Sequence, residues 1–171
     1  MLKKRNSLHK NWWRVKCFNS DKTVLKWEEF VSNIVVDEGL YYALDVMFMS
    51  GSAYSSWYVA LFNSDDTPAD DWVYAQIGTD MDEFTDYDEA TRPAWTPSAI
   101  VSNSLVAQVE FTASTGVDTT IYGAYIVNVN TKGDYASGIG ILWCASRFAT
   151  ARPLMATEVL EVTYGVNSVD V

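Results

Sequence analysis

The residues best suited to chemistry in this chain are carboxylates, which crowd two stretches. Residues 65–71 hold four aspartates, and residues 80–89 hold six acidic residues. Such clusters could coordinate a hard cation such as Ca²⁺, which takes about six to eight oxygen ligands. A calcium-binding loop needs a glycine at its sharp turn, however, and none lies between Asp80 and Glu89. We interpret both stretches as solvated loop faces, and the sequence leaves open whether residues 63–89 bind a cation.

The sequence offers few candidate residues for nucleophilic or acid–base catalysis. The only histidine, His9, lies in a basic leader with no carboxylate or nucleophile beside it, so a catalytic triad is not indicated. No local pattern among the acidic residues picks out the two carboxyl groups that glycoside hydrolysis needs. Gly138 and Gly140 lack the Gly-Lys-Ser/Thr ending of a phosphate-binding loop. The sequence therefore predicts that the protein is not an enzyme, and it assigns no catalytic, cofactor-binding or metal-binding residues.

Arg92 is the most informative single charge. Glu89 precedes it by three residues, and Pro93 favours an extended backbone at Arg92. Trp95 is close enough in sequence to lie beside the guanidinium. We predict a local ion pair with aromatic cover, whose role is to hold this segment to the body of the protein or to a neighbouring subunit.

Charge is divided unevenly along the 171 residues, whose formal net charge is -10. Residues 1–26 contain eight basic residues and one acidic residue, whereas residues 27–171 contain four basic and 21 acidic residues. This division predicts an arm that docks on an acidic neighbour or on the body of a symmetry-related copy, with a solvated tail as the alternative. The acidic body repels phosphate, which argues against nucleic-acid binding.

The two cysteines, Cys17 and Cys144, have neither a metal-binding nor a redox-motif spacing. We expect two buried free thiols, consistent with assembly in a reducing cytoplasm, although the sequence leaves a disulfide between them open. No run of about 18 apolar residues exists. The beginning of the chain also lacks the apolar core and cleavage site of a signal peptide. We therefore expect neither a membrane span nor a signal peptide.

The elements that position these residues begin with a short helix over residues 37–49. Its apolar residues recur at i, i+3, i+4 and i+7 in one stripe, and two acidic residues in the first turn complement the helix dipole. Residues 57–62 have the aromatic and β-branched content of a buried strand. An acidic loop then occupies residues 63–82, and loops of this length are usually functional or disordered. The stripe consists of Leu40, Ala43, Leu44 and Met47.

Strands account for most of the remaining chain. The pattern predicts a hairpin before residue 30 and, from residue 102 onward, four strands with period-two alternation and a turn at residues 149–153. We therefore predict a mainly β protein, an antiparallel β-sandwich of jelly-roll type, with one short α-helix capping one end and an extended N-terminal arm. Residues 1–26 form the basic arm with the first hairpin strand, and residues 27–171 form a single acidic sandwich domain.

Three segments carry a family resemblance: NIVVDEGLYYALDV at residues 33–46, WYVALF at residues 57–62 and YDEATRPAW at residues 87–95. Their combination resembles a family of tailed-bacteriophage virion structural proteins, and the likeness extends over residues 25–164. Ala60 stands where the family has glycine, and residues 1–10 show no recognisable likeness. The resemblance implies a non-enzymatic virion component with a run of C-terminal β-strands.

Our first expectation is a capsid decoration protein that binds and stabilises the major capsid shell and also contacts copies of itself, located in the virion after assembly in the host cytoplasm. The alternatives are a tail, neck or fibre component and a carbohydrate-binding module at a fibre tip. The surplus of Trp and Tyr is divided between a core, with Trp57, Tyr125 and Trp143, and partner interfaces. The residues expected at partner interfaces are Lys3, Lys4, Arg5, Lys10, Trp12, Trp13, Arg14, Trp27, Trp72, Arg92 and Trp95.

Overall fold

The computed structural model describes residues 9–135 and 140–168, and this part of the chain is mainly β, as predicted. It contains ten strands, one α-helix and one 3₁₀ turn, Tyr74–Gln76. The α-helix, α1, is Asp37–Phe48. The strands are β1 (His9–Phe18), β2 (Leu25–Ser32), β3 (Ile34–Val35), β4 (Trp57–Phe62), β5 (Glu83–Phe84), β6 (Ala94–Trp95), β7 (Ser104–Thr112), β8 (Asp118–Val127), β9 (Leu142–Met155) and β10 (Val159–Ser168).

The strands form two antiparallel sheets. The four-stranded sheet has the order β2-β1-β10-β7, and the six-stranded sheet has the order β3-β9-β8-β4-β5 with β6 beside β4. One cluster of buried apolar side chains draws on both sheets, so the sheets pack face to face. The predicted antiparallel sandwich is therefore confirmed.

β1 is an inner strand of the four-stranded sheet. It pairs with β2 on one side and with β10 on the other, where Trp13 lies opposite Tyr164. Every second residue of β1 from Trp13 to Cys17 is fully buried, because its side chains alternate into the space between the sheets. Residues 9–26 therefore belong to the sandwich, and of the predicted arm only residues 1–8 lie outside the described residues.

The interior between the sheets is rich in aromatic and branched side chains. β7 shows the predicted alternation, since Val109 and Phe111 face inward while Gln108 and Glu110 are exposed. This core includes Trp13, Val15, Val59, Leu61, Phe84, Tyr87, Val109, Phe111, Ile121, Ile126, Phe148, Leu160, Val162 and Tyr164.

A second core lies on the opposite face of the six-stranded sheet. Residues 63–82, the long acidic loop of the sequence, fold over this face, and Tyr74, Ile77 and Met81 pack against outward residues of β4, β8 and β9. Because β4 is covered on both faces, residues 59–62 are all buried. This double burial explains why β4 is a continuous apolar run instead of an alternating one.

β9 differs from the prediction of a turn at residues 149–153, because the strand continues through them. Ile121 of β8 pairs with Arg152, whereas Gly123 pairs with Arg147. Four residues of β9 therefore bulge opposite a single residue of β8, and the strand bends without ending. The turn signal in the sequence marks a bulge.

Both cysteines are buried free thiols, as predicted. Burial raises the pKa of each thiol to about 12. At Cys17 the Glu158 carboxylate, with an oxygen 3.3 Å from the sulfur, adds to this rise in pKa. Both thiols stay protonated at neutral pH, so neither is suited to nucleophilic or metal-binding chemistry.

Candidate docking surface at the helix end

α1 is joined to the sandwich through its first turn. The Glu38 carboxylate accepts hydrogen bonds from the backbone N–H groups of Tyr74 and Leu142, at 2.9 and 2.6 Å. Gly39 is the only buried residue of the helix, and a Cβ there would lie 2.4 Å from the carbonyl oxygen of Trp143. The helix backbone thus approaches β9 at a distance that only glycine permits.

The apolar stripe of α1 faces away from the sandwich. Leu40, Leu44 and Met47 are 41, 56 and 70% exposed, although the stripe of an amphipathic helix ordinarily packs on the core. The close approach at Gly39 turns the side of the helix with Gly39, Ala43 and Val46 inward, so the large side chains point outward. We define the helix face as Leu40, Tyr41, Leu44, Met47, Phe48 and Met49, all of which are exposed.

A cluster of aromatic rings connects α1 to the sandwich. The Tyr42 ring lies 5.3 Å from Tyr54 and 5.4 Å from Trp57, measured between ring centroids, and its hydroxyl oxygen accepts a 2.6 Å hydrogen bond from the Tyr54 N–H. Trp57 in turn lies 6.0 Å from Trp143. Both tryptophans are half-buried at the edge of the inner core, whereas Tyr125 is fully buried as predicted. The rings anchor the helix, so the helix face has a firm base.

A groove of about 750 Å³ lies beside the helix face, and a smaller cavity of about 330 Å³ lies between residues 55–57 and 94–97. The carboxylates of Asp37, Glu38 and Asp45 and three tyrosine rings line the groove, and none of the described residues that line it is basic. Aromatic rings combined with carboxylates suit a partner that is apolar and positively charged.

Replacing Gly39 with alanine is expected to lower the free energy of unfolding by about 1–3 kcal/mol, because the new methyl group would meet backbone atoms of Trp143 that cannot move aside. In a solvent-exposed helix the same change raises stability by up to about 1 kcal/mol. Urea denaturation therefore tests the contact between Gly39 and Trp143, because the free energy of unfolding should fall if the contact exists and rise if it does not. A stabilised Gly39→Ala variant would show that α1 is not held against β9.

The prediction that Trp13 and Arg92 lie at partner interfaces is wrong, because both side chains are fully buried. Trp13 points between the sheets from an inner strand. Arg92 forms its ion pair with Glu83 instead of Glu89: Nε and Nη2 donate to the two carboxylate oxygens of Glu83 at 2.8 and 2.7 Å. Its Nη1 also donates to the Val129 carbonyl at 2.8 Å. Burial alone would lower the pKa of Arg92, but the contact with Glu83 outweighs it and raises the pKa, so the guanidinium stays charged.

Glu89 and Trp95, the residues predicted to contact Arg92, contact other parts of the sandwich instead. Glu89 accepts a hydrogen bond from the backbone N–H of Thr112 at 3.1 Å. Trp95 lies 5.3 Å from the Tyr164 ring and donates from Nε1 to the Tyr164 carbonyl at 3.2 Å, so it does not cover the guanidinium. Glu89, Arg92 and Trp95 each hold their segment to a different part of the sandwich. Within the described residues, the role of Arg92 is structural.

The other predicted interface residues are spread over the molecule. Trp12 stacks on the exposed Phe30 of the four-stranded sheet at 5.5 Å, and Trp72 packs against the second core. Arg14 is exposed and paired with Glu28. Trp27 and Trp95 are half-buried against the inner core, while Lys3, Lys4, Arg5 and the side chain of Lys10 lie outside the described residues.

Sequence reasoning identified the stripe but missed Tyr41, Phe48 and Met49, which widen it. A signal was present, because apolar residues fall on every side of the helix from Leu40 onward and Asp45 is the only charge there. A short helix that is apolar all round must either be enclosed or present apolar surface to a partner.

Metal-binding and membrane-spanning features are not found in the part of the chain that the structure describes. There, no group of three or more His, Cys, Asp or Glu side chains is placed to hold a metal ion. Over the same residues, no helix combines the length and apolar character needed to cross a membrane.

No protein-family model and no curated protein sequence matches this chain. Functional inference therefore depends on its residues and their geometry.

Proposed function

We propose that this protein is a non-enzymatic structural protein of a tailed-bacteriophage virion, and specifically a capsid decoration protein that binds the major capsid shell and stabilises it. The observation that carries the proposal is the helix face, a group of large apolar side chains exposed on one well-anchored helix. Soluble proteins rarely expose such patches unless the patch binds a partner.

The composition of the helix face suits adhesion. Tyr41 and Phe48 are 77 and 72% exposed, and Met47 and Met49 are 70 and 74% exposed. Aromatic residues and methionine are enriched where proteins bind one another. Aromatic rings bury much area at a small cost in side-chain entropy, and the flexible methionine side chain adapts to the shape of the partner. The groove beside the face adds negative charge, which favours a partner with a basic rim.

The three segments that resemble the phage family meet at this end of the sandwich. Residues 33–46 include most of α1, and the Tyr42 ring of that helix contacts Trp57, the first residue of β4. Trp57 pairs with Trp95, which ends the third segment. The segments that carry the resemblance thus include Leu40, Tyr41 and Leu44 of the helix face and the rings Tyr42 and Trp57 that pack beside it.

A decoration protein acts through the surface it buries. Contacts across the joints between shell subunits must break before those subunits separate, so each bound copy raises the cost of rupture when DNA fills the head. A standard protein interface buries about 800 Å² on each partner. The helix face supplies the apolar centre of such an interface, and its acidic surroundings supply part of the polar rim.

The copy number in purified virions tests this proposal. We expect hundreds of copies per particle, measured by quantitative gel densitometry against the major capsid protein. A count of about six to twelve, as a single ring would give, would instead favour a neck or tail component. Absence of the protein from mature virions would exclude the proposal altogether.

A carbohydrate-binding module is the second candidate, because the groove combines the rings of Tyr41, Tyr42 and Tyr54 with carboxylates. Aromatic faces and carboxylate acceptors are also what a sugar needs for stacking and hydrogen bonding. Saturable binding on a glycan array, together with a low copy number, would favour this candidate over decoration.

A further inference from the structure

β7 is an open edge of the four-stranded sheet. It pairs with β10 on one side, and no described strand lies along its other side. We propose that this edge pairs with the same edge of a second copy of the chain, in an antiparallel arrangement about a two-fold axis at Gln108. The contact concerns the isolated protein and does not depend on the virion role.

The direction of the backbone groups along β7 alternates, because successive residues of an antiparallel strand bond to opposite neighbours. Two residues of the strand show which groups face away from β10. Ser104 exchanges two 2.9 Å backbone hydrogen bonds with Val101, and the Thr112 carbonyl oxygen accepts one of 2.9 Å from the Asp88 N–H. β7 has no register shift against β10, so the alternation continues between these residues. The residues that direct both backbone groups to the open edge are therefore Val106, Gln108 and Glu110.

These three residues present six backbone groups that pair with no described residue. A two-fold axis at Gln108 places Val106 opposite Glu110 of the second copy and Gln108 opposite its own counterpart. Each of the three resulting pairs exchanges two hydrogen bonds, so all six groups of each copy are paired. An axis at a neighbouring residue would place Ser104 or Thr112 in the ladder, and the backbone groups of both already have partners. Hydrogen bonding thus selects Gln108 as the centre.

The side chains of β7 are compatible with this register. Glu110 is the only charged residue of the strand, and it lies opposite Val106 of the second copy, so no like charges meet. Its carboxylate already forms an ion pair with Lys22 of its own chain. Val106 is 41% exposed, and pairing would cover part of its apolar surface. The edge is therefore complementary to itself in charge as well as in hydrogen bonding.

The other edge strands carry features that oppose such pairing. On β2, the carbonyl oxygens of Glu28 and Ser32 accept hydrogen bonds from the β9 side chains of Arg152 and Ser146, and Glu29 is a buried charge. The end strands of the six-stranded sheet, β3 and β5, are only two residues long. Inward charges and short strands protect sheet edges, as do lysine and proline. β7 has nine residues and none of these features.

The twist between paired strands makes room for the chain at either end of the contact. Val101 bonds to Ser104, four residues from the axis, where an untwisted second strand would continue. Paired strands are rotated by about 25°, so at about 14 Å from the axis the second strand lies about 6 Å out of the plane of the first. The ladder is therefore confined to the five residues 106–110.

Cysteine cross-linking tests the register in the full-length protein. In Gln108→Cys the two introduced thiols face each other across the axis, where paired Cα atoms are about 5.5 Å apart, a distance that a disulfide spans. The matched control is Thr163→Cys, because Thr163 lies directly beside Gln108 on β10. One further strand spacing on each side puts the control Cα atoms about 15 Å apart, which a disulfide does not span. Native Cys17 and Cys144 are buried and protonated, so the introduced thiols react selectively.

We expect Gln108→Cys to form disulfide-linked dimers at least about tenfold faster than Thr163→Cys under mild oxidation. Val106→Cys mixed with Glu110→Cys should cross-link faster than either variant alone, because only the mixture brings two thiols opposite each other. Equal rates for Gln108→Cys and Thr163→Cys would overturn the proposal, since they would indicate random collision.

Sedimentation velocity measures the association without a cross-link. We expect the unmodified protein to form dimers as its concentration rises. Gln108→Lys places two like charges opposite each other and should weaken the dimer about fivefold, whereas Thr163→Lys should leave it nearly unchanged. A monomer at every concentration would overturn the proposal. So would a dimer that Gln108→Lys leaves intact, because the copies would then meet through another surface.

Discussion

Replacing Arg92 with methionine is expected to lower the free energy of unfolding by about 3–5 kcal/mol. Arg92 and Glu83 are both fully buried and share two parallel hydrogen bonds, at 2.8 and 2.7 Å. Removing the guanidinium would leave the Glu83 carboxylate buried with the N–H of Gly133 as a remaining donor, at 2.9 Å. Equilibrium denaturation with urea measures the loss, and Arg14→Ala serves as the control.

The control separates the effect of burial from the loss of an ion pair, because Arg14 also pairs with a glutamate but lies at the surface. Its side chain is 47% exposed and that of Glu28 is 36% exposed, so Arg14→Ala should cost no more than about 1 kcal/mol. The double variant Arg92→Met with Glu83→Leu should recover part of the loss, since it removes the uncompensated charge. Equal effects of Arg92→Met and Arg14→Ala would contradict a strong buried pair.

The strands could be predicted because their signal is local. In β7, residues that face the core alternate with residues that face solvent, and this alternation follows directly from the geometry of an extended chain. β4 was recognisable for a different reason, since a sheet covered on both faces needs a continuous apolar strand. In both strands the burial of successive residues follows a regular pattern along one segment, so the sequence of that segment alone indicates a strand.

The candidate site was harder to predict because its geometry depends on contacts between distant parts of the chain. Arg92 pairs with Glu83 instead of Glu89 because β5 pairs with β4 and places Glu83 in the interior. The orientation of α1 depends on the contact between Gly39 and Trp143, which are about a hundred residues apart. Periodicity identifies an apolar stripe, but the rest of the fold decides which way it faces.

Trp13 shows the same limitation within a strand. The sequence places it beside a basic leader, which suggests an exposed residue at an interface. Its burial follows from the pairing of β1 with the C-terminal strand β10, a contact between the two ends of the described chain. No local pattern reports such a pairing, so an inner strand and an edge strand look alike in this part of the sequence.

The combined substitution of Met47 and Phe48 with serine is expected to weaken binding to capsids that lack this protein by about a hundredfold or more. Large apolar side chains at the centre of an interface contribute about 2 kcal/mol or more each, and about 1.4 kcal/mol corresponds to tenfold in affinity. Binding is measured by co-sedimentation with such particles over a range of protein concentrations. Both residues are more than two-thirds exposed, so the fold should lose little stability.

Val24→Ser is the matched control, because Val24 is 54% exposed in the turn between β1 and β2. This turn follows the last residue of β1, at the far end of the strand from His9. It removes apolar surface without touching the helix face, so binding should stay at the wild-type level. Equal weakening by both variants would indicate nonspecific hydrophobic adsorption instead of a defined surface. Wild-type binding by the double variant would show that the shell is bound elsewhere on the sandwich. Only selective weakening, with an unchanged urea midpoint, identifies the helix face as the surface through which this protein adheres.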